Sequence, residues 1–167
     1  PLTVTMEMPD RQVILRLWEV RVGRIPLLLM DSNLEANKKE DRKLTARLYW
    51  SDLDLRIMQE MVLGVGGVRV LRALGYAPRV WHMNEGHAAF LSLERARELV
   101  SSGESFKDAV EKIRAQNVFT THTPVPAGND EFPLWLVDKY LSACWPQLSL
   151  DRDQFVDLAR NQQSWGE

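Results

Sequence analysis

Two short stretches of this chain each have the pattern of a buried strand that ends in a polar, histidine-bearing loop. They are residues 80–90 and residues 118–128, and we call their loops the first tip and the second tip. The polar side chains that these loops offer to a ligand are Asn84, Glu85, His87 and His122. In an open α/β sheet, ligands bind in the crevice beyond the carboxyl ends of the strands. We therefore expect the two tips to line one shared pocket.

The first part of the chain has the pattern of an antiparallel meander. Residues 3–8, 11–22 and 24–31 are rich in valine, leucine and isoleucine and predict three strands, of which the middle one alternates apolar with charged residues. Pro9, Asp10 and Gly23 are the turn residues between them. Residues 25–30 are continuously apolar, so we expect the third strand to lie inside a sheet that is covered on both faces. Residues 32–52 are polar and predict a loop with short helical turns.

Helices and short strands alternate in the remainder. The predicted helices are 53–74, 87–99, 106–116, 129–145 and 151–160, and the predicted strands are 79–83 and 117–121. Gly64, Gly66 and Gly67 lie inside the first helix, where glycine is unfavourable, so we expect another backbone or a ligand to approach closely there. Gly75 is placed to end that helix and Ser105 to cap a later one.

This order predicts an α/β fold in a single domain, residues 1–167. We expect a Rossmann-like, mostly parallel sheet flanked by helices, with an antiparallel strand meander at the N-terminus, because helices between short buried strands imply right-handed crossovers. The chain begins at Pro1 and ends at Glu167 without an obvious closing element, so we expect it to be part of a longer protein.

Composition narrows the function classes. The formal net charge is −2 and the isoelectric point is about 6.0, so neither nucleic acid nor an anionic membrane surface is an expected partner. No apolar run approaches the length of a membrane span, and no signal peptide is evident. Cys144 is the only cysteine, which rules out an intrachain disulfide framework and suits a cytoplasmic setting.

The first tip also has two simpler interpretations, a metal site and a helix cap. His82, Glu85 and His87 could be metal ligands, but their spacing across a strand, loop and helix is not that of a metal motif, so we expect no metal site. Asn84 or Glu85 could instead cap the helix that follows, because both residue types favour helix N-termini. That role is compatible with ligand contact.

Other candidate motifs have simpler explanations. A lone histidine such as His122 is usually structural, yet its place in a loop with prolines and hydroxyl neighbours suits hydrogen bonding to a polyhydroxy ligand. Cys144 lies on an apolar helical face without a basic neighbour, so we interpret it as a core residue. The glycines around Gly66 lie inside a helix and do not form a dinucleotide fingerprint, and no Walker motif or nucleophile elbow is present.

Two motifs carry a family resemblance. His82-Met-Asn-Glu-Gly-His87 and Phe119-Thr-Thr-His-Thr-Pro-Val-Pro-Ala-Gly128 resemble the paired signatures of the α-glucan (glycogen, starch and maltodextrin) phosphorylases, more closely the bacterial and archaeal branch than the animal branch. The segments Arg47-Leu-Tyr49, Leu55-Arg-Ile-Met-Gln-Glu60 and Ala159-Arg-Asn-Gln-Gln-Ser-Trp-Gly-Glu167 are similar to the same family.

The resemblance implies a retaining glucosyl transfer, in which phosphate cleaves a terminal α-1,4-linked glucose and yields glucose 1-phosphate. It implies that His122 contacts the glucose, which makes it our catalytic candidate, and that Thr123 lies beside it. It implies that Glu85 and His87 line the pocket near the anomeric carbon, although animal members have aspartate in place of Glu85. Asn84, in the same tip, completes our set of substrate-binding candidates.

The resemblance also implies parts that this chain lacks. The family uses pyridoxal phosphate, and no lysine here lies in the motif of its attachment lysine, which belongs to the C-terminal half of the two-domain enzyme. We therefore expect an internal fragment of the N-terminal half, inactive alone, with the C-terminal half as partner, α-glucan and phosphate as substrates, and homo-oligomerisation as a further possibility. An apolar face for that partner is expected on the first strands or the last helix.

Two other hypotheses remain. The first is a stand-alone sugar-binding or regulatory module without catalysis. The second is another glycosyltransferase with two Rossmann-like domains, such as a glycogen synthase, although that class lacks the combination of the two tip motifs.

Overall fold

A three-stranded antiparallel sheet opens the computed structural model, which describes residues 2–48, 51–122 and 130–159. Its strands are β1 (Thr3–Met8), β2 (Arg11–Val22) and β3 (Ile25–Asp31), in the order β1-β2-β3. Asp10 and Gly23 adopt positive φ angles of 58° and 60° in the two tight turns. The predicted meander is confirmed.

β3 is not covered on both faces, so that prediction is wrong for the described residues. β3 pairs only with β2, and alternate side chains along it (Ile25, Leu27 and Leu29) are exposed. The core instead packs against one face of β1 and of the first half of β2, where Met6, Val13 and Leu15 are fully buried. A continuous apolar run predicts that a strand is buried, but it does not identify the element that would cover it.

One long helical segment packs behind this sheet. It consists of α1 (Leu53–Met61), a π-helical turn (Val62–Gly66) and α2 (Gly67–Ala73). An added Cβ at Gly64 would lie 2.6 Å from the backbone nitrogen of Leu91, and one at Gly66 would lie 2.9 Å from the sulfur of Met6. The predicted approach of another backbone is therefore confirmed at Gly64, whereas the close neighbours of Gly66 are side chains. At Gly67 the space is open, so the prediction fails there.

A second, parallel pair of strands carries the two tips. β4 (Trp81–Asn84) pairs directly with β5 (Asn117–Thr120). The chain between the two strands contains α3 (Leu91–Ser101) and α4 (Phe106–Arg114). Ser105 caps α4 as predicted, accepting a hydrogen bond from the backbone N–H of Asp108 at 3.1 Å. The described residues thus form an α/β structure with one antiparallel sheet and one parallel pair, rather than one mostly parallel sheet.

Three short helices complete the described chain: α5 (Leu134–Leu141), α6 (Cys144–Gln147) and α7 (Arg152–Asp157). The single helix expected over 129–145 is divided, and α7 begins with a capping box between Asp151 and Gln154. Leu136, Tyr140, Leu148 and Phe155 join the core formed by the meander and α1. Within the described residues, no helix has the length and apolar character needed to cross a membrane.

Candidate functional site

The first and second tips lie side by side, as a pocket shared between them would require. The parallel register pairs Asn84 with Thr120, and the backbone N–H of Glu85 donates to the carbonyl oxygen of Thr120 at 2.8 Å. At the strand ends, Asn84 Oδ1 lies 2.6 Å from His122 Nε2. A carboxamide oxygen can only accept, so in the neutral imidazole this contact places the ring proton on Nε2 and leaves Nδ1 as an acceptor. Thr123 lies outside the described residues.

Glu85 connects the two tips through a strained backbone. Its Oε1 accepts a hydrogen bond from the backbone N–H of His122 at 2.5 Å, and the residue is buried. Its φ of 60° and ψ of −173° belong to a region that only glycine adopts readily. Strain of this kind persists where the surroundings enforce it, often at functional sites.

The capping interpretation of the first tip is wrong for both residues that were considered. Glu85 precedes a 3-10 turn (Gly86–Ala88), and its side chain makes no capping hydrogen bond there. The next helix, α3, starts only at Leu91, and its N-cap is Phe90, also without a side-chain cap. The side-chain oxygens of Asn84 and Glu85 are directed at His122 instead.

His87 belongs to a second group of side chains. Its Nδ1 lies 2.7 Å from the guanidinium of Arg56, on α1. The same guanidinium donates to Asp130 Oδ2 at 3.0 Å and 2.6 Å, and its Nε lies 3.5 Å from Glu60. We call Arg56, Glu60, His87 and Asp130 the Arg56 cluster. It ties the first tip to α1 and to the residue that follows the segment 123–129.

Burial determines the charge of this cluster. Burial, and then the hydrogen bond and repulsion from Asp130, raise the pKa of Glu60 to about 8. Burial also opposes ionisation of Asp130, but hydrogen bonds from Arg56 and Glu60 outweigh it and lower the pKa of that carboxyl group. At neutral pH, Glu60 is therefore protonated and donates a hydrogen bond to the Asp130 carboxylate, which pairs with Arg56.

The same cluster has the spacing of a metal site. Ligand atoms of Glu60, His87 and Asp130 all lie within 4.8 Å of one another. The guanidinium of Arg56 already supplies a positive charge among them, with hydrogen-bonding contacts to Asp130 and His87. The arrangement is thus that of a partly buried ion-pair network. His82 belongs to neither group of side chains, because its Nε2 lies 2.6 Å from Thr120 Oγ1 on the exposed side of the strand pair.

Two cavities adjoin the Arg56 cluster. The first has a volume of about 570 Å³, and its lining includes Trp18, Leu29 and Leu63 together with Arg56, Glu60 and His87. The second, of about 610 Å³, is lined by Glu60 and Asp130 and by the aromatic rings of Phe90, Phe132 and Phe155. Glu60 lines both. Each cavity joins an apolar wall to a few charged groups, which is the usual composition of a small-molecule site.

Sequence reasoning missed three members of this site: Arg56, Glu60 and Asp130. A signal for the first two exists in the apolar pattern of α1, where an arginine and a glutamate four residues apart occupy inward positions. Charged residues are rarely buried unless they are paired, so such a pair indicates a buried network. For Asp130, which is 74 residues from Arg56, no comparable sequence signal exists.

Comparison with known proteins agrees with the resemblance seen in the two tip motifs. No family model matches the chain. It is 42% identical over 160 residues to a maltodextrin phosphorylase of Thermococcus litoralis, a match that covers 96% of this chain and 19% of that protein. It is 48% identical over 149 residues to a glycogen phosphorylase of Mycobacterium tuberculosis, covering 85% of this chain and 17% of that protein.

A glycogen phosphorylase of Aquifex aeolicus is 33% identical over 152 residues, which cover 91% of this chain and 22% of that protein. The chain thus spans about a fifth of the length of the curated relatives it matches. Over that span, the chain belongs to the glycogen and maltodextrin phosphorylase family.

Proposed function

We propose that this chain is a fragment of an α-glucan phosphorylase and carries part of its glucose-binding site. The parent enzyme would use phosphate to release glucose 1-phosphate from the end of an α-1,4 glucan. The observation that carries the proposal is the contact between Asn84 and His122, which joins the two tips whose motifs resemble the family signatures. A glucose unit offers many hydroxyl groups, so a site for it needs matched donors and acceptors.

Each predicted site residue has a proposed role. His122 accepts a hydrogen bond from a glucose hydroxyl at Nδ1, because its Nε2 is bonded to Asn84. Glu85 sets the position of the His122 backbone, so the carbonyl of that residue can face the sugar. His87 acts from the other side, where the Arg56 cluster orients its ring. Thr123 remains a proposed contact on the motif alone.

The cofactor belongs to the parent enzyme in this proposal. Pyridoxal phosphate assists proton transfer through its phosphate in this family and needs a lysine for attachment. The described lysines near acidic partners, Lys112 with Glu104 and Lys139 with Asp54, hold surface ion pairs and line neither cavity. These residues do not fit a cofactor pocket, so we propose that the attachment lysine lies outside this chain.

We also propose the wider setting of the fragment. The two sheets would belong to one Rossmann-like N-terminal domain, whose crevice faces a C-terminal half that completes the site. A cytoplasmic location is proposed because the only cysteine, Cys144, is free and forms no disulfide. Homo-oligomerisation of the parent is a further part of this proposal.

The test is formation of glucose 1-phosphate from maltodextrin and phosphate. We expect the full parent enzyme, called the longer polypeptide below, to be active and the 167-residue chain to show no turnover above background. His122→Ala in the longer polypeptide should lower kcat/KM by roughly 100-fold or more, the scale of losing a group that orients the transition state. His82→Ala is the matched control, because that histidine is on the same strand pair but bonds to Thr120, and it should retain activity.

Either of two outcomes would contradict the proposal. Equal activity of the His122→Ala and His82→Ala variants would remove His122 from the site. Binding of maltodextrin by the isolated chain, combined with an inactive longer polypeptide, would favour a sugar-binding module without catalysis.

A further inference from the structure

The outer half of the β2–β3 hairpin presents an apolar face to solvent. Three directly opposed pairs form it: Trp18 with Leu29, Val20 with Leu27, and Val22 with Ile25. All six side chains are between 44% and 60% exposed. We call this surface the hairpin face. A contiguous apolar surface of this kind is unusual on a free monomer and typically marks an interaction site.

The hairpin face continues into the first cavity. Trp18 and Leu29 line that cavity together with Leu48 and Leu63, which are themselves 82% and 48% exposed. Trp18 is held in place at the junction, since its indole N–H donates to Asp31 at 3.3 Å and Arg16 lies 5.7 Å from its ring centre. A large aromatic side chain with a fixed orientation is the usual anchor of a protein interface.

The free edge of β3 is a poorer docking site than its face. Pro26 lies on this edge strand and has no N–H to donate to an added strand. The opposite surface of the hairpin tip is charged, with Glu19 and Arg21 paired at 2.6 Å. A partner would therefore pack on the apolar face rather than extend the sheet.

We propose that the hairpin face is an internal packing surface, covered by an apolar segment of the same polypeptide that lies outside residues 1–167. This inference rests on the proposed function, in which the chain is a fragment. It is supported by length, because about four-fifths of each relative lies outside the matched span. Among the described residues, no element covers this face.

The test compares one double variant in two contexts. Val20→Lys with Leu27→Glu places an opposite-charge pair across the strands at the centre of the hairpin face, so the hairpin itself can still form. In the longer polypeptide, the variant should lower the midpoint of thermal unfolding by several degrees or abolish soluble expression. In the 167-residue chain, it should leave the midpoint unchanged and reduce binding of an apolar dye such as ANS.

The matched control exchanges the charges on the other side of the hairpin. Glu19→Lys with Arg21→Glu keeps the pair and the net charge, and it should be neutral in both contexts. Equal, small effects of the two double variants in the longer polypeptide would overturn the proposal. So would a 167-residue dimer that the Val20→Lys/Leu27→Glu variant converts to monomer, since a second copy would then be the occupant.

Failure of the proposed function would look different. Val20→Lys/Leu27→Glu could still destabilise the longer polypeptide more than Glu19→Lys/Arg21→Glu does while the wild-type longer polypeptide is inactive. That result would reject phosphorolysis but retain the packing surface. A reading frame that ends at Glu167 would remove the proposed occupant and overturn this inference directly.

Discussion

Asn84 Oδ1 lies 2.6 Å from His122 Nε2, although 38 residues separate the two along the chain. Parallel pairing of β4 and β5 aligns the strand ends, so Asn84 at the end of β4 meets His122, two residues beyond the end of β5. The contact selects one tautomer of His122, so the ring presents an acceptor rather than a donor at Nδ1. Several expected outcomes depend on this pairing and on the Arg56 cluster behind it.

Asn84→Leu should remove the preference of the His122 ring for one tautomer. The apolar side chain offers no acceptor, so the population with the proton on Nε2 should fall. Nitrogen-15 NMR of the three histidines checks this, because the two ring nitrogens differ in shift according to protonation. Asn33→Leu, an exposed asparagine that bonds to Arg42, is the control. An unchanged His122 spectrum in Asn84→Leu would contradict the contact.

Substitutions at Glu85 should separate backbone strain from hydrogen bonding. Both Glu85→Ala and Glu85→Gly lose the bond to His122, but glycine relieves the strained φ and ψ. Relief of such strain is worth about 1–3 kcal/mol, more than the usual penalty of glycine relative to alanine. We expect Glu85→Gly to be the more stable variant in urea denaturation. A less stable glycine variant would show that the backbone is unstrained.

Stability should depend on the proton held by Glu60. Its pKa rises from 4.5 in the unfolded chain to about 8 in the folded state, so the folded state binds more protons between these values. The free energy of unfolding should therefore fall as pH rises from 4.5 to 8, by at most about 1.4 kcal/mol per pH unit, and level off above. Below pH 4.5 this contribution is fully present.

Glu60→Gln should remove that pH dependence, because the amide keeps a donor for Asp130 at every pH. Urea denaturation at intervals from pH 5 to 9 measures it. Glu111→Gln, an exposed residue of α4, is the control for loss of one carboxyl group and should preserve the wild-type slope. The same slope in Glu60→Gln and wild type would mean that another group is responsible.

Arg56→Met should be strongly destabilising, because it leaves the Asp130 carboxylate without its cation. Breaking a buried ion pair on one side costs about 3–5 kcal/mol, and partial exposure of Asp130 makes the lower end appropriate here. Adding Asp130→Asn should recover part of the loss, which a double-mutant cycle measures. Additive losses in the double variant would show that the two residues are not coupled.

Alanine substitutions at two glycines should have opposite signs. At Gly64 the new Cβ would meet the backbone of Phe90 and Leu91 at 2.9 Å and 2.6 Å, which cannot move without separating α3 from the π turn. At Gly67 the space is open, and alanine should stabilise the helix by up to about 1 kcal/mol. Thermal unfolding of both variants checks this. A stable Gly64→Ala variant would contradict the close packing.

The positions of most helices and strands could be predicted from the sequence, because apolar periodicity and turn residues are local properties. The meander, the helix from 53 to about 74 and the two tip strands all occur where their patterns indicate. The meeting of Asn84 with His122 was predictable too, since parallel strands bring their carboxyl ends to one edge.

Tertiary structure alone decided which way the side chains of the tips point. His82, Glu85 and His87 lie within six residues, yet they face Thr120, His122 and Arg56 respectively. The positive φ of Glu85 lies between the strand residue His82 and the turn residue His87, and hydrophobic periodicity does not predict it. Partners of Arg56 and an uncovered face of β3 likewise depend on contacts between distant segments. Local pattern determines the elements, whereas the surroundings of a side chain follow only from how those elements pack.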